Sequence, residues 1–199
     1  RDVPRVLELL GSSDALLIGP GLGLDPSTQE AVLEIVRACQ APIVIDADGI
    51  SAVSQDVSVL EGKSCVITPH AREYHTLTGR ELPNDLDARQ MDVTEAAREL
   101  GVVLLVKGMI DVISDGAWTK LNKTGNAGMT VGGTGDVLAG EVGALLTKRV
   151  SPFNAARIAA FTNGAAGDLA FDRNGYSLMA TDVIDCIPDV VRRGLKKVQ

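Results

Sequence analysis

The chain has 199 residues, 45% of them apolar and 23% charged, with a formal net charge of -7 and an isoelectric point near 4.8. That is enough apolar sequence for one globular core, and the acidic balance removes the basic face that nucleic-acid and anionic-membrane binding need. Aromatic residues make up 3% of the chain, too few for a base-stacking platform, and no uninterrupted apolar run reaches the ~18 residues of a membrane span.

Arg1 to Leu10 reads as a short helix, with Val3, Val6, Leu7 and Leu10 at helical spacing and Gly11 closing it. Ala15 to Ile18 is a compact apolar strand leading into Gly19-Pro20-Gly21-Leu22-Gly23. A helix from about Ser27 to Cys39 follows, capped by Asp25 or Ser27. Pro42 to Ile45 is the next strand, ending in Asp46-Ala47-Asp48-Gly49, and Val57 to Leu60 closes another helix. A third strand, Cys65 to Ile67, empties into Thr68-Pro69-His70-Ala71-Arg72-Glu73 and a helix that Gly79 ends.

Asp85 to Leu100 is an amphipathic helix, directing Met91, Ala97 and Leu100 to the core and Arg89, Glu95, Arg98 and Glu99 to solvent. Val102 to Val106 is the most apolar strand, of the kind found at a parallel sheet's centre, and Lys107-Gly108 follows it at once. Asp111 to Ser114 and Ala117 to Asn122 form a hairpin around Asp115-Gly116. Val137 to Leu146 suits a buried helix, and Pro152 opens a longer one to about Phe171, rich in alanine for close packing. Asn174-Gly175 breaks the chain, and Thr181-Asp182 caps a last helix to roughly Arg193, kinked at Pro188. Strands alternating with helices imply a single α/β domain, a mostly parallel sheet covered on both faces with an antiparallel hairpin at one edge.

Cys39, Cys65 and Cys186 are odd in number and widely spaced, which fits a reducing cytoplasm, and His70 and His75 lack the partners of a zinc site. No signal peptide is legible, although a chain beginning at Arg1 leaves upstream processing or truncation open. A glycine turn after the first strand and an acid ending the second also raise a dinucleotide-binding oxidoreductase. Gly19 and Gly21 then demand glycine or alanine at position 24, which is Leu24.

The stretch from Gly125 to Gly140, Gly-Asn-Ala-Gly-Met-Thr-Val-Gly-Gly-Thr-Gly-Asp-Val-Leu-Ala-Gly, ends a loop at a helix start. There the first-turn amides lack intrahelical partners and carry the positive end of the helix dipole, a ready site for phosphate. Gly132, Gly133 and Gly135 let the backbone approach a ligand, and Thr134 adds a hydroxyl donor. Asp136 repels a phosphate, so it is either a proton acceptor or a helix-start acid complementing the dipole. The missing Lys-Ser/Thr ending excludes a Walker loop.

This stretch resembles the anion-hole signature of ribokinase-like kinases, and its Gly-Asn-x-Gly-Met preface resembles the NAD(P)H-hydrate dehydratases of that superfamily. The Ile18-to-Gly23 turn, Asp46-Ala47-Asp48-Gly49, Thr68-Pro69-His70 with Glu73, and Lys107-Gly108 match the same pattern in order. The resemblance implies a three-layer α/β/α ribokinase-like fold and dehydration of hydrated NADH or NADPH driven by ADP or ATP, through a phosphate ester that the ring nitrogen then expels. It assigns Asp136 as the base that takes the ring hydroxyl's proton, and the amides of Gly132, Gly133, Thr134 and Gly135 as the anion hole. Gly21, Gly23, His70 and Asp136 go to the hydrated dinucleotide, and Lys107, Gly108, Met109, Ile110, Asp111 and Gly135 to the nucleotide.

Glu73 is implied as an indirect ligand of Mg²⁺, and Asp111 departs from the Thr of many relatives. The resemblance also implies a cytoplasmic homo-oligomer, a tetramer, without nucleic acid or membrane partners. This chain begins after an upstream segment that the family usually carries, so that segment is expected to be removed, disordered or supplied by another chain. Two alternatives stay open: a vitamin-precursor kinase of the same superfamily, and a nucleotide sensor, which is expected to lose the carboxylate that is present at 136.

Overall fold

The computed structural model describes residues 2–196, so Arg1 of the expected first helix lies outside the described residues. In chain order the elements are α1 (Val3–Leu10), β1 (Leu16–Ile18), α2 (Pro26–Ala38), β2 (Ile43–Ile45), α3 (Asp48–Val53), β3 (Cys65–Ile67), α4 (Ala71–Thr78) and α5 (Leu86–Leu100). They continue with β4 (Val103–Val106), β5 (Asp111–Ser114), β6 (Thr119–Asn122), α6 (Thr134–Thr147), α7 (Pro152–Asn174) and α8 (Ala180–Lys196). Local chemistry sets the boundaries. The Asp25 carboxylate accepts the Ser27 amide proton at 2.9 Å to start α2, and Asp85 accepts that of Ala88 at 2.9 Å to start α5. Gly79 and Gly101 end α4 and α5 in the left-handed conformation.

The six strands lie in the order β1-β2-β3-β4-β5-β6, parallel through β4 and antiparallel from β4 to β6. Right-handed crossovers that step always in one direction leave their helices on one face. Accordingly Ile43, Ile45, Cys65, Ile67, Leu104 and Val106 form one core with residues of α1 to α5. The alternate positions Val44, Val66, Val103, Leu105 and Ile113 point the other way, where Leu138, Ala139 and Val142 of α6 and the alanines of α7 cover them. The result is the three-layer α/β/α arrangement, with β5 and β6 as the antiparallel edge. Among the described residues no helix is long and apolar enough to cross a membrane.

Several expectations change in detail. Met91 is 69% exposed rather than core, because the buried stripe of α5 runs Val93, Ala96, Ala97 at helical spacing and Met91 lies off it. The helix after β2 starts at Asp48, and Val57–Leu60 is a separate 3-10 turn. The hairpin loop is longer than two residues, since the Asp115 carboxylate accepts the amide protons of Ala117 and Trp118 and holds them out of the ladder. Helix α8 starts at Ala180, ahead of the expected Thr181-Asp182 cap, where Asp182 accepts the Met179 amide proton at 2.7 Å, and Pro188 lies inside it.

Candidate active site

The parallel strands end in register, Ile18 beside Ile45 and Ile45 beside Ile67. The segments Gly19–Gly23, Asp46–Asp48, Thr68–His70 and Lys107–Gly108 therefore leave the sheet along one carboxyl edge, where open α/β sheets bind ligands. Among the described residues the strand order never reverses, so they do not form the crevice in which a Rossmann fold seats its dinucleotide. Gly19 has φ 134°, and a Cβ there would overlap the Asp46 carbonyl oxygen, so this glycine serves the close approach of two loops. Gly21 and Gly23 face open space, and the Gly23 amide donates to the Asp48 carboxylate at 2.8 Å.

Helix α6 arrives at this edge from the opposite face. Gly133, with φ 95°, turns the chain into the helix, and no side chain caps it. The amides of its first turn are thus open, as an anion hole requires. Thr134 differs from expectation: its hydroxyl lies 2.9 Å from the Met129 carbonyl and 3.1 Å from that of Val131, tying the loop together instead of reaching outward. Asp136 is exposed and, among the described residues, makes no ion pair or hydrogen bond through its carboxylate. It lines a cleft of about 560 Å³ between α6 and α8 with Gly133, Gly140, Glu141, Ala180 and Ile184. Burial in that cleft pushes the Glu141 carboxyl up to about 8, and one of its oxygens has no hydrogen-bond partner.

Lys107 joins the two halves of the site. Its ammonium lies 2.8 Å from Asp46 Oδ1 and 3.8 Å from Glu73 Oε2, and only 3.4 Å from where a Cβ on Gly135 would stand. His70 and Glu73 form a capping box on α4: His70 Nδ1 accepts the Glu73 amide proton at 3.1 Å, and Glu73 Oε2 accepts that of His70 at 2.8 Å. In the neutral ring the proton therefore sits on Nε2. His75, by contrast, is half-exposed and meets the Arg80 carbonyl on the far side of the same helix.

Glu73 Oε2 is taken by the His70 amide, so this acid could reach a phosphate-bound Mg²⁺ only as the single carboxylate of a largely water-filled shell. Among the described residues no three His, Cys, Asp or Glu side chains stand close enough to hold an ion. Asp111 also has a structural task. Its carboxylate accepts the Gly108 amide proton at 3.0 Å and a proton of Asn122 Nδ2 at 2.9 Å, closing Lys107–Asp111 into a turn with Met109 exposed. Burial raises the Asp111 pKa, and the bonds from Asn122 and Gly108 and the Lys107 charge oppose that rise.

The loop before the anion hole is anchored to α7. Asp168 accepts the Gly125 amide proton at 3.1 Å and a proton of the Asn126 side chain at 2.9 Å, while Asn126 Oδ1 accepts the Gly128 amide proton at 2.9 Å. Gly164 and Gly167 of α7 leave room for Thr124 and Met129, which a Cβ would strike. Asp46, Glu141 and Asp168 are thus the site's additions beyond the sequence reading. Asp46 was visible as an acid ending a strand, but neither Glu141 nor Asp168 carries a local signal that separates it from a solvent-facing helix acid.

A sequence profile of the NAD(P)H-hydrate dehydratases matches residues 2–189. The chain is 46% identical over 195 residues to a bifunctional NAD(P)H-hydrate repair enzyme of Pyrobaculum aerophilum, covering 97% of this chain and 38% of that protein. It is 38% identical to an ADP-dependent (S)-NAD(P)H-hydrate dehydratase of Cenarchaeum symbiosum, covering 90% of this chain and 62% of that one. The chain thus spans 38% of the length of the first of these curated relatives and 62% of the second. The solved structure of the ADP/ATP-dependent NAD(P)H-hydrate dehydratase of Bacillus subtilis, co-crystallized with ATP/Mg²⁺ and soaked with CoA, superimposes with a TM-score of 0.79. That match has 30% identity and covers 94% of this chain and 71% of the other.

Proposed function

Because the chain belongs to the NAD(P)H-hydrate dehydratase family, we propose that it returns hydrated NADH or NADPH to the reduced dinucleotide, with ADP or ATP as phosphoryl donor. Hydroxide is a poor leaving group from the hydrated ring and phosphate a good one. In the first step Asp136 takes the proton of the ring hydroxyl, whose oxygen attacks the terminal phosphorus while the bond to the remaining nucleotide breaks. The open amides of Gly132, Gly133, Thr134 and Gly135 stabilise the charge on the phosphoryl oxygens. In the second step the ring nitrogen's lone pair expels phosphate, and loss of a proton from the adjacent carbon restores the ring double bond.

The glycine turn at Gly21 and Gly23 and the half-exposed His70 ring hold the dinucleotide, and the Lys107–Asp111 turn holds the nucleotide. Mg²⁺ on the nucleotide phosphates would neutralise their charge, with Glu73 reaching it through water. The observation that carries the proposal is Asp136, a carboxylate with no ion pair or hydrogen bond among the described residues, on the first turn of an uncapped helix whose Gly135 lies against the Lys107 ammonium. The test is to add the protein and ADP or ATP to hydrated NADH and follow the reduced-nicotinamide absorbance. Recovery is expected to require nucleotide and to fall by about 10² to 10⁴ in Asp136→Asn, with nucleotide binding retained. Phosphate transfer to a vitamin precursor without recovery would move the reading to a small-molecule kinase, and unchanged turnover in the variant would remove Asp136 from the mechanism.

A further inference from the structure

Asp46 belongs to no assigned role, yet it is the most deeply buried acid at the site, with its side chain 2% exposed. A carboxylate so buried requires a partner, and it has one in Lys107, 61 residues away, at 2.8 Å. The lysine's other acidic neighbour, Glu73, stands at 3.8 Å, beyond hydrogen-bond length, and is already bonded to the His70 amide. One ammonium proton is therefore taken by Asp46 and two remain for a ligand. The ammonium is packed against Gly135, whose amide lies in the open first turn of α6. The lysine and the open amides thus flank the same turn.

We propose that Asp46 is a positioning residue: it holds the Lys107 ammonium at the anion hole and so dedicates that cation to the phosphoryl group being transferred, not to the adenylate part of the nucleotide. A lysine side chain on its own is a mobile four-carbon stem with a point charge at the tip. Paired with a buried acid before the nucleotide arrives, the charge needs no reorganisation when negative charge moves onto the phosphoryl oxygens. Asp46 can be altered without disturbing the backbone around it, because its main-chain bonds, from its amide to the Ile18 carbonyl and from the Gly49 amide to its own carbonyl, do not involve the side chain.

The inference deepens the dehydratase reading, and its test separates the two. Asp46→Asn, Lys107→Met and the double variant are compared with the unaltered chain for equilibrium binding of ATP and AMP by calorimetry, and for turnover of hydrated NADH. Lys107→Met is expected to weaken ATP binding about ten- to a hundredfold, the size of a lost charged hydrogen bond, and to leave AMP within about twofold. Asp46→Asn moves ATP affinity and turnover the same way by less, and adds nothing in the Lys107→Met background. Equal weakening of AMP and ATP would overturn the assignment to the transferring group. An Asp46→Asn effect that persists in full without Lys107 would reduce Asp46 to a structural residue.

Should Asp46→Asn not fold, methylammonium added to Lys107→Ala reads the same point. Saturable rescue of ATP binding supports a cation held by Asp46, and no rescue overturns it. Failure of the unaltered chain to restore reduced nicotinamide would sink the dehydratase reading alone, since the ATP-to-AMP ratio is independent of the acceptor.

Discussion

At the scale of single residues, the site sets two carboxylates of α6 in one cleft with different surroundings. Asp136 is exposed at the helix start, whereas Glu141 is half-buried with one oxygen shut off from solvent, and that burial pushes its carboxyl up to about 8. In the unfolded chain a glutamate releases its proton near pH 4.3, so between that pH and about 8 the folded state binds the extra proton. Stability therefore falls as the pH rises through that window, and the full cost of an ionised, buried Glu141 is reached above it. Glu141→Gln is expected to remove this part of the pH dependence and to gain stability over the parent at pH 9 more than at pH 5. Urea unfolding of both proteins at the two pH values checks it, and parallel losses in parent and variant would show that Glu141 is not the titrating group.

At the scale of elements, the anion hole depends on the helix beside it as much as on its own glycines. The Gly125–Met129 segment has no strand partner, and Asp168 of α7 supplies the acceptors for Gly125 and Asn126. Asp168→Ala leaves those donors facing a half-buried gap, with an expected stability loss of about 1–3 kcal/mol. The loop then no longer presents Gly133 at a fixed angle, so turnover is expected to fall although nothing in the reacting atoms has been removed. Chemical denaturation and the nicotinamide recovery assay measure the two effects. Lost stability with undiminished turnover would show that the loop is held by packing of Met129 against Gly167 instead.

The same element shows where local pattern was sufficient. Glycine-rich sequence followed by an apolar run marks the loop-to-helix junction, although α6 starts at Thr134, three residues ahead of the apolar run at Val137, and nothing in the sequence shows which carbonyls a tight loop brings back over the Thr134 hydroxyl. Met91 stands six residues before Ala97, a separation that helical period alone places off the buried stripe.

At the scale of the whole molecule, a single sheet separates two apolar layers, and the site lies where the carboxyl edge of the first meets the start of α6 from the second. A ligand spanning that seam binds only when both layers are in place. ADP at about a hundred times its Kd is therefore expected to raise the unfolding free energy by ~2.7 kcal/mol in one cooperative transition. Calorimetry with and without ADP measures it. A shift confined to one of two separate transitions would mean that the layers melt independently and that the nucleotide rests on one alone.

By itself the sequence determined what neighbours along the chain can settle: the helix caps, the strand runs, the αβ alternation, and the residue types that appear at each strand end. These follow from hydrogen bonding and side-chain periodicity within a few residues, and they were enough to put His70 and Lys107 at strand ends and the Gly132–Asp136 turn at a helix start. The tertiary structure alone decided the unreversed strand order, the covering of the second face by α6 and α7, and the pairing of Asp46 with Lys107 across 61 residues. Those contacts depend on which strands lie side by side, and a buried charge shows its partner only once the strand ends have been brought together.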